Sequence, residues 1–225
     1  ITQSPNPPIP PPPPKKLLLT GFEPFATHPA NPSQQVVETL AARELDPHIQ
    51  LIPYILPVIY SEAELLIRAL IRQHRPDVLL ALGLAETRTK IALERVALNL
   101  DDAALPDNSG QLRQGIPIHP HAPPAYFTAL PLDPLKSALE TENIPVQISN
   151  HAGTFLCNHV FFAAMHESEL LGLNNRCCFV HLPQAKEFAP HDERAMPFAE
   201  MVRGVEILCK AIRPIHQQSK KMSEP

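Results

Sequence analysis

The chain has 225 residues, 44% of them hydrophobic, a formal net charge of −4 and a pI near 6.3. That length supports one good-sized core without requiring a second domain. No basic stripe marks a nucleic-acid surface and no apolar run is long enough to span a bilayer, so neither nucleic acid nor membrane is an expected partner. The four cysteines, Cys157, Cys177, Cys178 and Cys209, do not resemble a disulfide framework, and reduced thiols are expected. Eleven histidines form no H-E-x-x-H frame and the cysteines no C-x-x-C frame. Neither a metal nor another cofactor is expected.

Residues 1–16, ITQSPNPPIPPPPPKK, read as a proline-rich leader in polyproline II conformation. They lack the basic start and apolar stretch of a signal peptide. A single α/β domain is expected over residues 17–213, followed by a polar tail, 214–225. Leu17–Thr20 is a buried-type strand leading into Gly21-Phe22-Glu23-Pro24-Phe25. Ser33 is the expected N-cap of a helix over 34–45. Leu51–Pro57 reads as an edge strand because prolines interrupt it. Ser61 is expected to cap a helix over 62–74, and Val78–Leu82 is a continuous apolar strand ending at Gly83.

Ile91–Leu100 is strand-like. Residues 101–128 then form a long loop rich in proline and aspartate, and loops of that length are usually functional. A helix over 135–143, a strand over 146–148, a helix holding Cys157, a strand over 178–182 and a helix over 197–212 complete the pattern. Strands alternate with helices throughout, which predicts a three-layer α/β/α sandwich around a mainly parallel twisted sheet. Ligands bind such sheets beyond the carboxyl ends of the strands. Gly21–Phe25, Gly83–Arg88, Ser149–Cys157 and His181 are expected to share that rim.

Cys157 is the centre of this reading. Near a helix's first turn, unpaired N–H groups and the positive dipole end favour a thiolate and offer donors to an oxyanion. The alternative is a small apolar residue filling the core. A nucleophilic cysteine needs a base, and the base needs an orienting group. His181, closing an apolar strand, is the best candidate base. His151 and His159 are nearer in sequence, but His159, two positions on in a helix, points away. Glu94 is the candidate orienting carboxylate, with Glu86 and Asp101 equally plausible on local context.

Four motifs then resemble one family. Thr20–Phe25 with Asn31-Pro32-Ser33 resembles the N-terminal signature of type I pyroglutamyl peptidases. Glu94–Asn99 with Leu105–Asn108 resembles their glutamate motif, Ala152–Asn158 their cysteine motif and Phe179–Pro183 their histidine motif. Glu94 precedes Cys157 by 63 residues and His181 follows it by 24, in the order and at the intervals the family shows. The resemblance covers roughly Leu17 to Ile212.

It implies a cytoplasmic, metal-free cysteine peptidase, commonly a homotetramer, that removes N-terminal pyroglutamate from peptides. Cys157 would be the nucleophile, His181 the base and Glu94 its orienter. Phe22, Phe25, Leu84 and Phe155 would line the substrate pocket. Three departures stand out. Ala104 occupies the place of an arginine near the oxyanion, for which Arg88 or Arg113 are possible substitutes. Leu84 replaces a glutamine. Ala26-Thr27 and Glu86-Thr87 replace glycine pairs and stiffen their loops. They motivate the alternative of a weakened relative that binds pyroglutamyl-like ligands without efficient turnover.

Overall fold

The computed structural model describes residues 13–26, 28–173 and 176–212. Most of the proline-rich leader and the whole polar tail lie outside the described residues. The elements in order are β1 (Lys15–Phe22), α1 (Pro32–Ala41), β2 (Ile49–Leu56), α2 (Tyr60–His74), β3 (Val78–Leu84), β4 (Ile91–Glu94) and β5 (Val96–Leu98). Then come β6 (Ala125–Phe127), α3 (Leu132–Thr141), β7 (Val146–Ser149), α4 (Leu156–Leu170), β8 (Cys177–Leu182) and α5 (Phe198–Ala211). A six-stranded sheet has the order β2-β1-β3-β8-β4-β7, and β5 and β6 form a separate hairpin.

Alternation along the central strands sorts the core into two layers. Leu17, Leu19, Leu80, Leu82 and Val180 pack with α1, α3 and α5 on one face. Leu18, Leu79, Ala81 and Phe179 pack with α2 and α4 on the other. Successive side chains of a strand point to opposite faces, so near-continuous apolar strands are what a sheet covered on both sides demands. The α/β sandwich is therefore as expected, and β2 with its Pro53 lies at the sheet edge.

The sheet is mixed in a way the alternation of elements did not disclose. β4 pairs antiparallel with β8 and parallel with β7, so β4 and β7 run opposite to the other four strands. The cause is the short connection 85–90 between β3 and β4. A parallel crossover needs a dozen or more residues, whereas six allow only a return. The strand-like stretch 91–100 is also two strands: it breaks at Arg95, and its second half leaves the main sheet for the hairpin.

Helix starts differ from expectation for an instructive reason. Asn31, not Ser33, caps α1, accepting from Ser33 N–H at 3.0 Å with Pro32 in the first turn. Ser33 instead faces the strand, where its Oγ accepts from Phe22 N–H at 3.0 Å. A Cβ on Gly21 would stand 2.5 Å from the Ser33 carbonyl oxygen, so only glycine lets β1 and α1 approach this closely. Nor is α2 capped by Ser61. Tyr60 N–H donates to Asp107 Oδ2 at 3.0 Å, a cap supplied from the long loop.

Candidate active site

The site assembles on the face of the sheet covered by α2 and α4. Ala92 lies opposite His181 in the β4–β8 ladder and Glu94 opposite Phe179. Glu94 and His181 are thus diagonal cross-strand neighbours on one face, a separation that long side chains bridge. Their side chains meet, with His181 Nδ1 at 2.8 Å from Glu94 Oε1. An ionised carboxylate only accepts, so His181 Nδ1 donates this bond. Both residues are buried.

Cys157 is the second residue of α4, entered through Phe155 with no side-chain cap. The helix is apolar nearly all round and buried over Val160–Met165, which leaves no freedom to rotate the thiol away. Asn158 fixes the first turn against the hairpin. Its Oδ1 accepts from Leu98 N–H at 2.8 Å, and its Nδ2 donates to the carbonyls of Leu98 and Leu100 at 2.9 and 3.0 Å. The thiol reaches the sheet above Gly83, the residue paired with His181 in the β3–β8 ladder. A Cβ there would stand 2.9 Å from Cys157 Sγ and 2.7 Å from the Phe179 ring. The glycine at the end of β3 is therefore the space the thiol occupies.

The expected low thiol pKa is not found. Burial pushes the Cys157 thiol up to about 12, and the negative charge of Glu94 adds to the shift. A helix N-terminus is worth roughly 0.3–1 kcal/mol at an exposed site, less than removing a thiolate from water among phenyl rings. Cys157 rests as a thiol, and its proton must leave to a base. No hydrogen bond joins it to His181 among the described residues; such contacts often tighten only with substrate bound. The remaining thiols are fully buried, Cys178 also pushed up to about 12 by burial.

Beside Sγ opens a cleft of about 50 Å³ walled by Phe22, Phe25 and Phe155, with Val58, Leu84 and Leu156 completing it. Asn31, its polar lining residue, is committed elsewhere: Oδ1 to Ser33 and Nδ2 to the Glu23 carbonyl at 3.1 Å. All four residues expected at a substrate pocket therefore share one apolar wall next to the thiol.

The structure also separates the alternatives. His151 is exposed and accepts from Gly153 N–H at 3.2 Å. His159 turns away from the thiol to Asp101, at 2.9 Å. Glu86 pairs with His28 at 2.6 Å. Neither arginine substitutes for the one absent at Ala104. Arg113 donates to Asp101 Oδ2 at 2.9 Å with its guanidinium 4.4 Å above the Tyr60 ring. Arg88 donates to Glu94 Oε1 at 3.0 Å and to Ser149 Oγ at 2.9 Å. Sequence reasoning singled out Gly83, Asp101 and His159 but missed the room Gly83 makes for the thiol, the pairing of Asp101 with His159 and the role of Asn158. Two polar residues in an apolar helix were the available signal for Asn158 and His159.

Comparisons with known proteins point to one family. The pyroglutamyl peptidase family profile matches residues 15–216. A pyrrolidone-carboxylate peptidase from Gloeobacter violaceus is 39% identical over 201 residues, covering 88% of this chain and 96% of that protein. One from Thermococcus kodakarensis is 37% identical, over 87% and 95% of the two chains. The crystal structure of Bacillus amyloliquefaciens pyroglutamyl peptidase I superposes with a TM-score of 0.81 at 33% identity, over 88% and 96%. A mutant pyrrolidone carboxyl peptidase from Pyrococcus furiosus gives 0.83 at 31%, over 88% and 98%. The chain belongs to the pyroglutamyl peptidase family of cysteine peptidases.

Proposed function

We propose that the chain hydrolyses the peptide bond after an N-terminal pyroglutamyl residue, with Cys157 as nucleophile, His181 as base and Glu94 as its orienter. The observation that supports this best is a thiol seated at Gly83, beside the His181–Glu94 pair and at the wall of an aromatic cleft. The pyroglutamyl ring is flat and uncharged. Phe22, Phe25, Leu84 and Phe155 match it with apolar surface, leaving main-chain groups to read its lactam N–H and C=O. A blocked N-terminus carries no ammonium, so the cleft needs no acidic anchor.

In this mechanism His181 Nε2 takes the Cys157 proton, and the sulfur attacks the pyroglutamyl carbonyl. Glu94 accepts from Nδ1 and stabilises the imidazolium. The tetrahedral oxyanion is held by N–H groups of the first turn of α4, which have no intrahelical partners. The imidazolium then protonates the departing amine, leaving a thioester. Water, activated by the same imidazole, attacks the thioester, releases pyroglutamate and restores the thiol. This reading places a single peptidase domain over residues 17–213, in the cytoplasm, where four free thiols persist. It also includes a homotetramer, for which exposed Leu105, Leu112, Ile116 and Phe127 offer apolar contact surface.

The test is release of a chromogenic amine from a pyroglutamyl conjugate, with Cys157→Ala as control. Turnover by the wild type alone is expected. Binding of pyroglutamate without release at high enzyme concentration would overturn the proposal.

A further inference from the structure

We propose that Arg88 is a positioning residue for the hydrolysis: its guanidinium holds the Glu94 carboxylate in place and shares the oxygen to which His181 is bound. This deepens the function proposed above and rests on it. Nη2 of Arg88 donates both to Glu94 Oε1 at 3.0 Å and to Ser149 Oγ at 2.9 Å. His181 Nδ1 meets the same Oε1 at 2.8 Å. The other oxygen, Oε2, is buried without a hydrogen-bond partner among the described residues. All the recorded side-chain hydrogen bonding of Glu94 thus converges on one atom, from two sides.

That arrangement does two things. It fixes the carboxylate's rotation, because a carboxylate held by His181 alone could turn about its own axis. It also places a permanent cation against the dyad, since arginine is never deprotonated. The guanidinium is itself held. Arg88 N–H donates to the Ala85 carbonyl at 3.0 Å in the turn after β3. Ser149 ends β7, paired with Glu94 in the β4–β7 ladder. Arg88 therefore ties together the end of β3, the end of β4 and the strand before the cysteine helix. The groups facing this dyad are Arg88 from the turn, Ser149 from β7 and the Cys157 thiol from α4; the Cys178 thiol of β8 lies in the opposite core layer and reaches only the Glu94 main-chain carbonyl, at 3.8 Å.

A nearby positive charge opposes proton uptake by the dyad and favours a thiolate. Removing it moves the acid limb of kcat/KM to higher pH, by about 0.5–1 pH unit for a partly exposed cation. Lost orientation lowers kcat about tenfold or more, as outer supports of reacting groups generally do, with KM little changed. The variants are Arg88→Met and Arg88→Lys, with thermal melting as a check on folding. Arg88→Met is expected to show both effects, and Arg88→Lys to restore the acid limb and part of kcat. A second readout needs no substrate: the pH dependence of Cys157 alkylation by iodoacetamide, expected to move to higher pH in Arg88→Met. If the wild type releases no amine from a pyroglutamyl conjugate, the proposed function fails while the alkylation profile still tests Arg88. Unmoved alkylation and acid limb in Arg88→Met, or equal losses in the Lys and Met variants, would overturn the positioning role.

Discussion

Two buried histidine–carboxylate pairs, one of them rooted in the first turn of α4, differ in one respect that decides their use. His181 is bonded through Nδ1 to Glu94 at 2.8 Å, and among the described residues no carboxylate meets its other nitrogen. His159 is bonded through Nδ1 to Asp101 at 2.9 Å, and its Nε2 faces Glu64 at 3.4 Å. A ring flanked by carboxylates at both nitrogens is held toward its charged form, which suits it to binding rather than to taking up a proton. Burial opposes the charge on His159, but its hydrogen bond to Asp101 and the Glu64 carboxylate beside Nε2 outweigh it and hold its pKa above the ordinary value. Reciprocally, the hydrogen bond from His159 brings Glu64 down to about 2. Sequence proximity to the nucleophile misleads here. The histidine two residues from Cys157 ties helix to loop, while the one on a distant strand faces the site.

The largest effect that tests this contrast is His181→Ala. In the proposed mechanism it lowers kcat/KM by a factor on the order of 10⁴, while Glu94 keeps Arg88 as a partner. It also slows alkylation of Cys157 at neutral pH, because a thiol pushed up to about 12 has then lost its base. His159→Ala should behave oppositely. It removes the buried group between Asp101 and Glu64, leaving them the guanidinium groups of Arg113 and Arg68, and breaking a buried ion pair costs about 3–5 kcal/mol, read as a lower midpoint in denaturant. Preserved stability in His159→Ala would break the comparison.

Gly83→Ala probes the working side by geometry alone. Its methyl group would compete with Sγ and the Phe179 ring for the same space. A displacement near 1 Å costs roughly 100-fold in rate, measured as kcat on a chromogenic substrate. On the holding side the probe is pH. The folded-state pKa of His159 is raised, so its stabilisation is complete below the unfolded value of about 6.5 and is lost as pH climbs through the folded value. The Glu64 contribution runs the other way: present above 4.5, it disappears as pH falls toward about 2. Melting temperatures across pH should therefore show a decline at alkaline pH that His159→Gln removes. The smallest effect belongs to Ala26, held at φ +51° in the turn that carries Phe25. Ala26→Gly should stabilise by about 1 kcal/mol, seen as a modest rise in melting temperature.

The parts of this molecule legible in sequence are those that local pattern encodes. Continuous apolar runs at β1, β3 and β8 gave the covered sheet, and motif order gave the family and the candidate triad. What could not be read were relations between distant residues. The direction of β4 depends on where a six-residue connection can land, not on its own residues. The cap of α2 comes from Asp107, in a loop 47 residues away. The low thiol pKa expected from helix position was overruled by the phenyl rings packed around it, which come from β1, β8 and the turn after β1. Arg88 was visible as a cation near the site, but whether it faced an oxyanion or a carboxylate depended on Ser149 and the β4–β7 pairing.

The central claim is that Cys157 carries the acyl group between the two halves of hydrolysis. Quenching the enzyme in acid during turnover of a pyroglutamyl substrate, then mapping the modified peptide by mass spectrometry, tests it directly. The account predicts a pyroglutamyl thioester on Cys157 that is absent in Cys157→Ser and accumulates when water attack is slowed. Acylation at Cys177, Cys178 or Cys209, or turnover that persists in Cys157→Ala, would contradict it.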